Sequence, residues 1–440
     1  MIPFPSSTEV CIVGAGPSGL ACALGLAARQ IPFVIVDALE QGHNSSRAVL
    51  LQASALEALG ALSPELSAEL VSDGIQSKTW LATDPQDRPV FHLRMADLER
   101  HTKYAFFLLN PQHRVEHRMR EYVQRGGNPI HWHKRVSSVR EVAESAQYEL
   151  QFESGDVLRA RYIVAADGSK SFLRTVAGIP FIDPHTKKAA GPGPNDLSFV
   201  VADIVFEEPL PSNVPRDTLK MIVGTNGFIL TAPIRDSSPS AGGNPAQNLF
   251  RVYFGVPDTP PRSPDAAYLQ EILDTQGPGS HSALHAVAKI AKVLDSARYR
   301  TRMALVDKYV HRAQGGAYIL LVGDAAHKHG PAGGQGMNMG ICDGCELAQA
   351  IDEHRSAALT AEERGTRHDT VEILEAYSTR RRAVAREVMD MVERMTEVEN
   401  GGAGWGPYFL LTALWFFFKM PFVNSWAACK ISGLGHAKRT

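Results

Sequence analysis

Three glycines at fixed spacing carry the first recognisable chemistry in this chain. Gly14-x-Gly16-x-x-Gly19 closes the short apolar run VCIV and opens a stretch of small, apolar residues that reads as a helix. A second apolar run, FVIV, ends on Asp37, 18 positions beyond Gly19. The pattern is strand, tight turn, helix, strand, and each residue type has a mechanical use. Gly14 permits the turn, Gly16 lets a phosphate approach the backbone, and Gly19 lets the helix pack against the strand. Free N–H groups at the helix start attract a pyrophosphate. Asp37 can accept both ribose hydroxyls of an adenosine. A lone glycine turn is weak evidence; set in a complete βαβ unit, it predicts a bound dinucleotide.

Two further constellations make that reading specific. Asp167-Gly168-Ser169-Lys170-Ser171-Phe172-Leu173-Arg174 follows the buried-type run RYIVAA. Its aspartate can fix backbone amides beside a pyrophosphate, and Gly168 permits close approach. On its own the segment reads as a helix start capped by Asp167 or Ser169. The other is Gly323-Asp324-Ala325-Ala326-His327, followed by GGQGMNMG at 333–340. A carboxylate at a strand end suits a polyol such as ribitol. The helix after these glycines offers its N-terminal amides to an electron-rich ring edge.

The elements that must hold these turns are legible in outline. Short alternating runs between 75 and 110 read as strands, and Gln112–Arg125 as a helix ended by Gly126-Gly127. Strands are expected over 130–157, with a turn at 153–156, and a buried strand at 161–166. The next 130 or so residues alternate Pro/Gly/Ser-rich segments with the runs LSFVVADIVF, LKMIVGTNGFILTAPI and LFRVYFGV. That texture predicts an antiparallel sheet with long connecting loops. Pocket lining is expected around 221–234 and 250–256 and at the turn 329–331; alternation leaves open which faces point inward. Residues 316–322 read as another buried strand, and 340–394 as largely helical.

Residues 408–418, YFLLTALWFFF, are uncharged. They are too short for the roughly 20 apolar residues of a membrane span. They admit an interfacial membrane helix as well as a helix docked on the protein body or on a partner subunit.

At 440 residues the chain exceeds one typical core and predicts two packed domains. With 44% hydrophobic and 21% charged residues it reads as a soluble enzyme. The net charge of −2 offers no broad basic field and argues against nucleic-acid binding. The N-terminal residues lack a basic region followed by a long apolar stretch, which reads as cytoplasmic. Five cysteines do not suggest a disulfide framework. Cys11 and Cys22 read as packing residues. Cys342 and Cys345 form a CxxC inside an apparent helix, with no second pair for zinc, and read the same way.

With these three motifs in this order, from residue 10 to about 350, the chain resembles the single-component FAD-dependent aromatic hydroxylases. These are flavoprotein monooxygenases related to para-hydroxybenzoate and phenol hydroxylases. The resemblance implies an α/β, glutathione-reductase-like FAD-binding fold (Rossmann-type βαβ) with an antiparallel-sheet substrate domain and a helical C-terminus. Segments 1–75, 105–180 and 312–355 would form the FAD-binding domain, 76–104 and 181–311 the substrate-binding sheet, and 356–440 the helical region. It implies FAD at the glycine motif, with Gly14, Gly16, Gly19 and Asp167 at the pyrophosphate and Asp37 at the adenosine ribose. Asp324 would bind the ribityl chain, and the amides of Gly336, Met337 and Asn338 the flavin pyrimidine. Arg47 matches the family arginine near the phosphates, and Gln112 the residue that contacts the ribityl region.

The chain also departs from that pattern. Asp37-Ala38 stands where many relatives carry Glu-Arg. The family's His-x-x-Pro-Pro is here His327-Lys328-His329-Gly330-Pro331, which loses one proline and places an imidazole beside the expected flavin face. His329 becomes a candidate to take a phenol's proton, and Pro331 a candidate pocket residue.

The implied reaction uses NADPH or NADH to reduce FAD and O2 to form a flavin C4a-hydroperoxide. Its terminal oxygen passes to an electron-rich carbon of a phenolic or similarly activated aromatic compound. The protein then has to position the substrate and exclude water. A single GxGxxG sets aside Baeyer–Villiger and N-hydroxylating enzymes, and scattered tryptophans set aside flavin halogenases. Two other readings stay open, as does the oligomeric state. One is another flavin enzyme on this scaffold (epoxidase, oxidase or reductase of a lipid-like substrate). The other is a non-catalytic redox-sensing flavoprotein.

Overall fold

A computed structural model of the chain describes residues 4–42, 48–190, 197–224, 227–235, 248–363, 370–399 and 420–437. Its spine is a parallel sheet. Strand Ser7–Val13 lies between Phe33–Val36 and Val157–Ala165; Ile130–His131 extends one side and Tyr318–Leu321 the other. These strands are covered on both faces, which is why their sequences run apolar rather than alternating. Register brings their carboxyl ends level: Val13 pairs with both Val36 and Ala165, and Ala165 with Leu321. All three motif turns therefore leave from one edge.

Helix Pro17–Ala28 packs against the long helix Gln335–Glu363 through small residues. A Cβ at Gly344 would come 2.3 Å from the Ser18 carbonyl oxygen, and one at Gly25 would come 2.6 Å from Ala348 Cβ. Cys11 and Cys22 are fully buried, as packing residues should be. Burial pushes the thiols of Cys342 and Cys345 up, so neither is a thiolate at neutral pH. The expected boundary between 355 and 356 falls inside this continuous helix.

The second sheet has seven strands, in the order Ile290–Thr301, Leu197–Phe206, Leu249–Gly255, Gly227–Pro233, Leu219–Gly224, Thr79–Thr83, Pro89–Arg94. It is mixed rather than purely antiparallel, because Leu219–Gly224 and Thr79–Thr83 run parallel. The segment bearing the last two strands joins the sheet through a connection of more than 100 residues, so no hairpin forces it to run antiparallel. The structure also settles which face points inward. Phe199, Val201, Met221, Val223 and Tyr253 join the main core toward the parallel sheet. Val200, Ala202, Ile222, Phe250, Val252 and Phe254 pack instead on Leu269, Ile272 and Leu273 of helix Ala266–Gln276.

Helix Pro421–Ile431 ties the two layers together. Asn424 Oδ1 accepts the Arg94 amide at 3.0 Å and its Nδ2 donates to the His92 carbonyl at 2.7 Å, on the edge strand of the second sheet. At its other end the Ile431 carbonyl accepts Gln335 Nε2 at 2.9 Å. Residues 408–418 lie outside the described residues. Among the described residues no helix is long and apolar enough to cross a membrane.

Candidate functional site

Gly14 sits at φ +112°, and a Cβ there would lie 2.2 Å from the Ala166 carbonyl oxygen. One at Gly19 would lie 2.0 Å from the Gly14 carbonyl oxygen. At Gly16 it would meet nothing within 4 Å. Two glycines thus close the turn on itself and the third faces open space, the arrangement a diphosphate needs at a helix N-terminus. Asp37 braces this turn: Oδ2 accepts the Ala15 amide at 2.7 Å and Oδ1 the Leu39 amide at 2.9 Å. A carboxylate has about four acceptor positions, so two are left for ribose hydroxyls.

Asp167 follows the neighbouring strand. It accepts the Ser171 hydroxyl at 2.5 Å and the Leu173 amide at 3.1 Å. Burial raises its pKa, against the pull of those hydrogen bonds. The helix cap is Ser171, whose hydroxyl accepts the Arg174 amide, and not Asp167 or Ser169 as the segment alone suggested. The aspartate steps back because it has to hold the turn and the cap together. Arg174 donates to the Ala325 carbonyl at 3.2 Å, which joins the second motif to the third.

Asp324 lies exposed at the same edge, in the short turn Gly323–Ala325. A fully buried carboxylate, Asp343, supports it from behind. Asp343 accepts the Gly323 amide at 3.0 Å, meets His327 Nε2 at 2.7 Å and pairs with Arg381 Nε at 2.6 Å. Burial alone would raise the Asp343 pKa, but Arg381 and His327 hold it down at about 2.

The glycine-rich segment then turns into the long helix at Gln335. The first turn of a helix leaves its N–H groups without intrahelical acceptors, which places the amides of Gly336 and Met337 among such donors, while Asn338, four positions past Gly334, is the first able to close a helical bond. The Asn338 side chain does a different job. Its Oδ1 accepts the Gln52 amide at 2.7 Å, and its Nδ2 donates to the carbonyls of Leu50 and Gly334. It clamps the strand Leu50–Leu51 to the glycine turn. A Cβ at Gly334 would lie 2.8 Å from Leu50 Cδ1, so this approach needs glycine too.

His329 Nδ1 lies 2.7 Å from the Gly330 carbonyl. A carbonyl only accepts, so Nδ1 carries the proton and Nε2 holds a lone pair. Nε2 is buried with no hydrogen-bond partner among the described residues. The ring faces the first turn of the long helix, 3.9 Å from where a Gly336 Cβ would stand. Burial, then the neighbouring His327, lowers its pKa to about 4. Pro331 opens the adjoining turn and accepts the Gly334 amide at 2.9 Å.

Gln112 begins its helix as expected; its amide donates to the Ala48 carbonyl and its side chain to Glu116. Arg47 lies outside the described residues. Ala48 also receives Arg251 Nη1 at 3.0 Å, from the second sheet. Arg251 is 2% exposed and grips Asp203 through two 2.7 Å bonds. Sequence reading missed this pair. The available signal was an Arg and an Asp within apolar strand runs, where an isolated charge has to find a partner.

The donors and space at this edge fit FAD: an open face at Gly16, an exposed Asp324, and the amides at the start of the long helix. Residues 7–392 match the family model described as an FAD binding domain. The chain is 27% identical over 406 residues to a rifampicin monooxygenase of Rhodococcus hoagii, covering 90% of this chain and 72% of that one. It is 23% identical over 404 residues to a pentachlorophenol 4-monooxygenase of Sphingobium chlorophenolicum, covering 90% and 66%. Among solved structures, p-nitrophenol 4-monooxygenase PnpA from Pseudomonas putida DLL-E4 superposes with a TM-score of 0.76 at 20% identity, over 98% of this chain and 99% of that one. That last likeness speaks for the fold alone.

Proposed function

The chain belongs to the FAD-binding-domain family and is an FAD-dependent monooxygenase of the aromatic-hydroxylase type, and from that premise we propose how its own residues are used. Its substrate is a phenolic or similarly activated aromatic compound seated between the second sheet and the turn 329–331. The observation that carries this reading is the convergence of three motif turns at one carboxyl edge, facing the apolar side of a second sheet. When bound, the flavin takes electrons from NADPH or NADH and activates O2. Gly14, Gly16, Gly19 and Asp167 frame the pyrophosphate, with Arg47 near the phosphates. Asp37 holds the adenosine ribose and Asp324 the ribityl chain, with Gln112 beside it. The amides of Gly336, Met337 and Asn338 meet the flavin pyrimidine.

His329 serves as an acceptor and not as a full base. With a pKa of about 4 it is neutral near pH 7. Taking a proton from a phenol of pKa about 10 is uphill by several units. Accepting a hydrogen bond through Nε2 still orients the ring and enriches it in electron density. Pro331 walls the same pocket, and the inward row Phe199, Val201, Met221 and Tyr253 supplies apolar contact. The reading also includes peripheral membrane contact through residues 408–418.

Anaerobic flavin bleaching by NADPH, then NADH, with and without a panel of phenols tests the proposal. Reduction strongly accelerated by one phenol is the expected result. Rapid reduction indifferent to the panel would point to a different acceptor, and no reduction by either nucleotide would sink the reading.

A further inference from the structure

Helix Pro421–Ile431 is apolar on two sides and uses only one of them. Ala427, Ala428 and the anchoring Asn424 are buried against the protein body. On the opposite side Phe422 and Trp426, one turn apart, are 71% and 65% exposed. A helix apolar all round is ordinarily covered all round, and each of these rings withholds about two thirds of the roughly 150–250 Å² that such a side chain can bury. Charge says what covers this one. Residues 401–440 contain Lys419, Lys430, Lys438 and Arg439 and no Asp or Glu, although the whole chain is formally −2. Of these, Lys430 is paired with Glu387. The same stretch holds nine aromatic residues, among them Trp405, Tyr408, Trp415 and Trp426. Aromatic rings beside lysines, without acidic residues, are the composition of a segment that lies in the headgroup region of an anionic bilayer.

We propose that the Phe422/Trp426 face of this helix seats the protein on an anionic lipid surface. The inference deepens the peripheral-contact part of the reading above and gives that contact a described surface. The helix is hydrogen-bonded to the edge strand of the second sheet and to Gln335 at the glycine turn. A lipid surface on its outer side therefore lies against the wall that joins substrate sheet and flavin turn. Apolar aromatic compounds dissolved in that bilayer are concentrated beside the site.

Flotation of the FAD-loaded full chain with phosphatidylcholine vesicles, with and without phosphatidylserine, tests this. The wild type is expected to float with the phosphatidylserine vesicles. A Phe422→Ser/Trp426→Ser variant loses roughly tenfold or more of that partitioning while keeping its flavin content and thermal midpoint. A Trp426→Leu variant, which keeps apolar area, retains most of it. A wild type that stays with the soluble fraction, or a double variant that floats as well as the wild type, overturns the proposal. So does sedimentation velocity showing a lipid-indifferent dimer that the double substitution splits, since the face would then meet a second copy of the chain. Lipid binding is read without turnover, so its failure leaves the monooxygenase assignment standing, and failed flavin reduction leaves this surface standing.

Discussion

Asp343 accepts the backbone amide of Gly323 at 3.0 Å, and through that bond a buried carboxylate on a helix fixes the turn that presents Asp324. The same carboxylate is paired with Arg381 and hydrogen-bonded to His327, so the turn rests on a buried ion pair. Breaking one partner of a buried pair leaves an uncompensated charge, at a cost of about 3–5 kcal/mol.

Asp343→Asn is therefore expected to lower apoprotein stability by about 3–5 kcal/mol and to lose FAD with it. Asp324→Ala, at an exposed position, is expected to lose FAD while shifting apoprotein stability by less than about 1 kcal/mol. Chemical denaturation of both apoproteins, with flavin absorbance on purification, separates the two. Full FAD occupancy in Asp324→Ala would rule out the ribityl assignment. The acid side follows from the same ion pair. Asp343 is held at about 2 against an ordinary 3.8, so its contribution is full above about pH 4 and is lost as pH falls toward 2.

The glycine turn allows a sharper contrast. Gly14→Ala places a Cβ in the left-handed region and against the Ala166 carbonyl, so it should disrupt the turn by more than the roughly 1–3 kcal/mol of backbone strain alone. Gly16→Ala puts its Cβ where no protein atom lies within 4 Å and should leave the thermal midpoint of the apoprotein nearly unchanged while weakening FAD retention. Equal loss of stability in both variants would show that Gly16 serves packing and not the cofactor.

The parts of this site that a linear reading reaches are those whose rule is local. Spacing placed Gly14, Gly16, Gly19 and Asp37 at one turn because strand, turn and helix each constrain residues a few positions apart. Helix Gln112–Arg125 was legible from end to end for the same reason. What was not legible depends on distant partners. The cap at Ser171 is decided by what Asp167 must also hold. The parallel pairing of Leu219–Gly224 with Thr79–Thr83 is decided by a long connection, and the inward face of the second sheet by which side the helix Ala266–Gln276 covers. Asp343 and Arg381 lie 38 positions apart on separate helices, and nothing local marks them as a pair.

His329 offers a test by pH. Its folded pKa is about 4, below the usual 6.5, so between those values the unfolded chain binds more protons and stability rises with pH. The cost is absent above about pH 6.5 and complete below about pH 4. His329→Gln should flatten the stability profile in that window. In the wild type, the rate of substrate-stimulated flavin reduction should show no inflection from this group between pH 6 and 8. An inflection near 6.5 that disappears in His329→Gln would restore the full base role.

The Asp203–Arg251 pair joins the second sheet to the Ala48 carbonyl and is buried enough that its two members are not independent. Asp203→Ala strands a guanidinium that is 2% exposed, at an expected cost of about 3–5 kcal/mol. Replacing both, as Asp203→Leu with Arg251→Met, removes the two charges together and should cost much less than the single change, because no buried charge is left unpaired. Urea denaturation of the three variants measures the coupling. If the double variant is as unstable as the single one, the bond from Arg251 to Ala48, and not the ion pair, is what holds the sheet against the flavin domain.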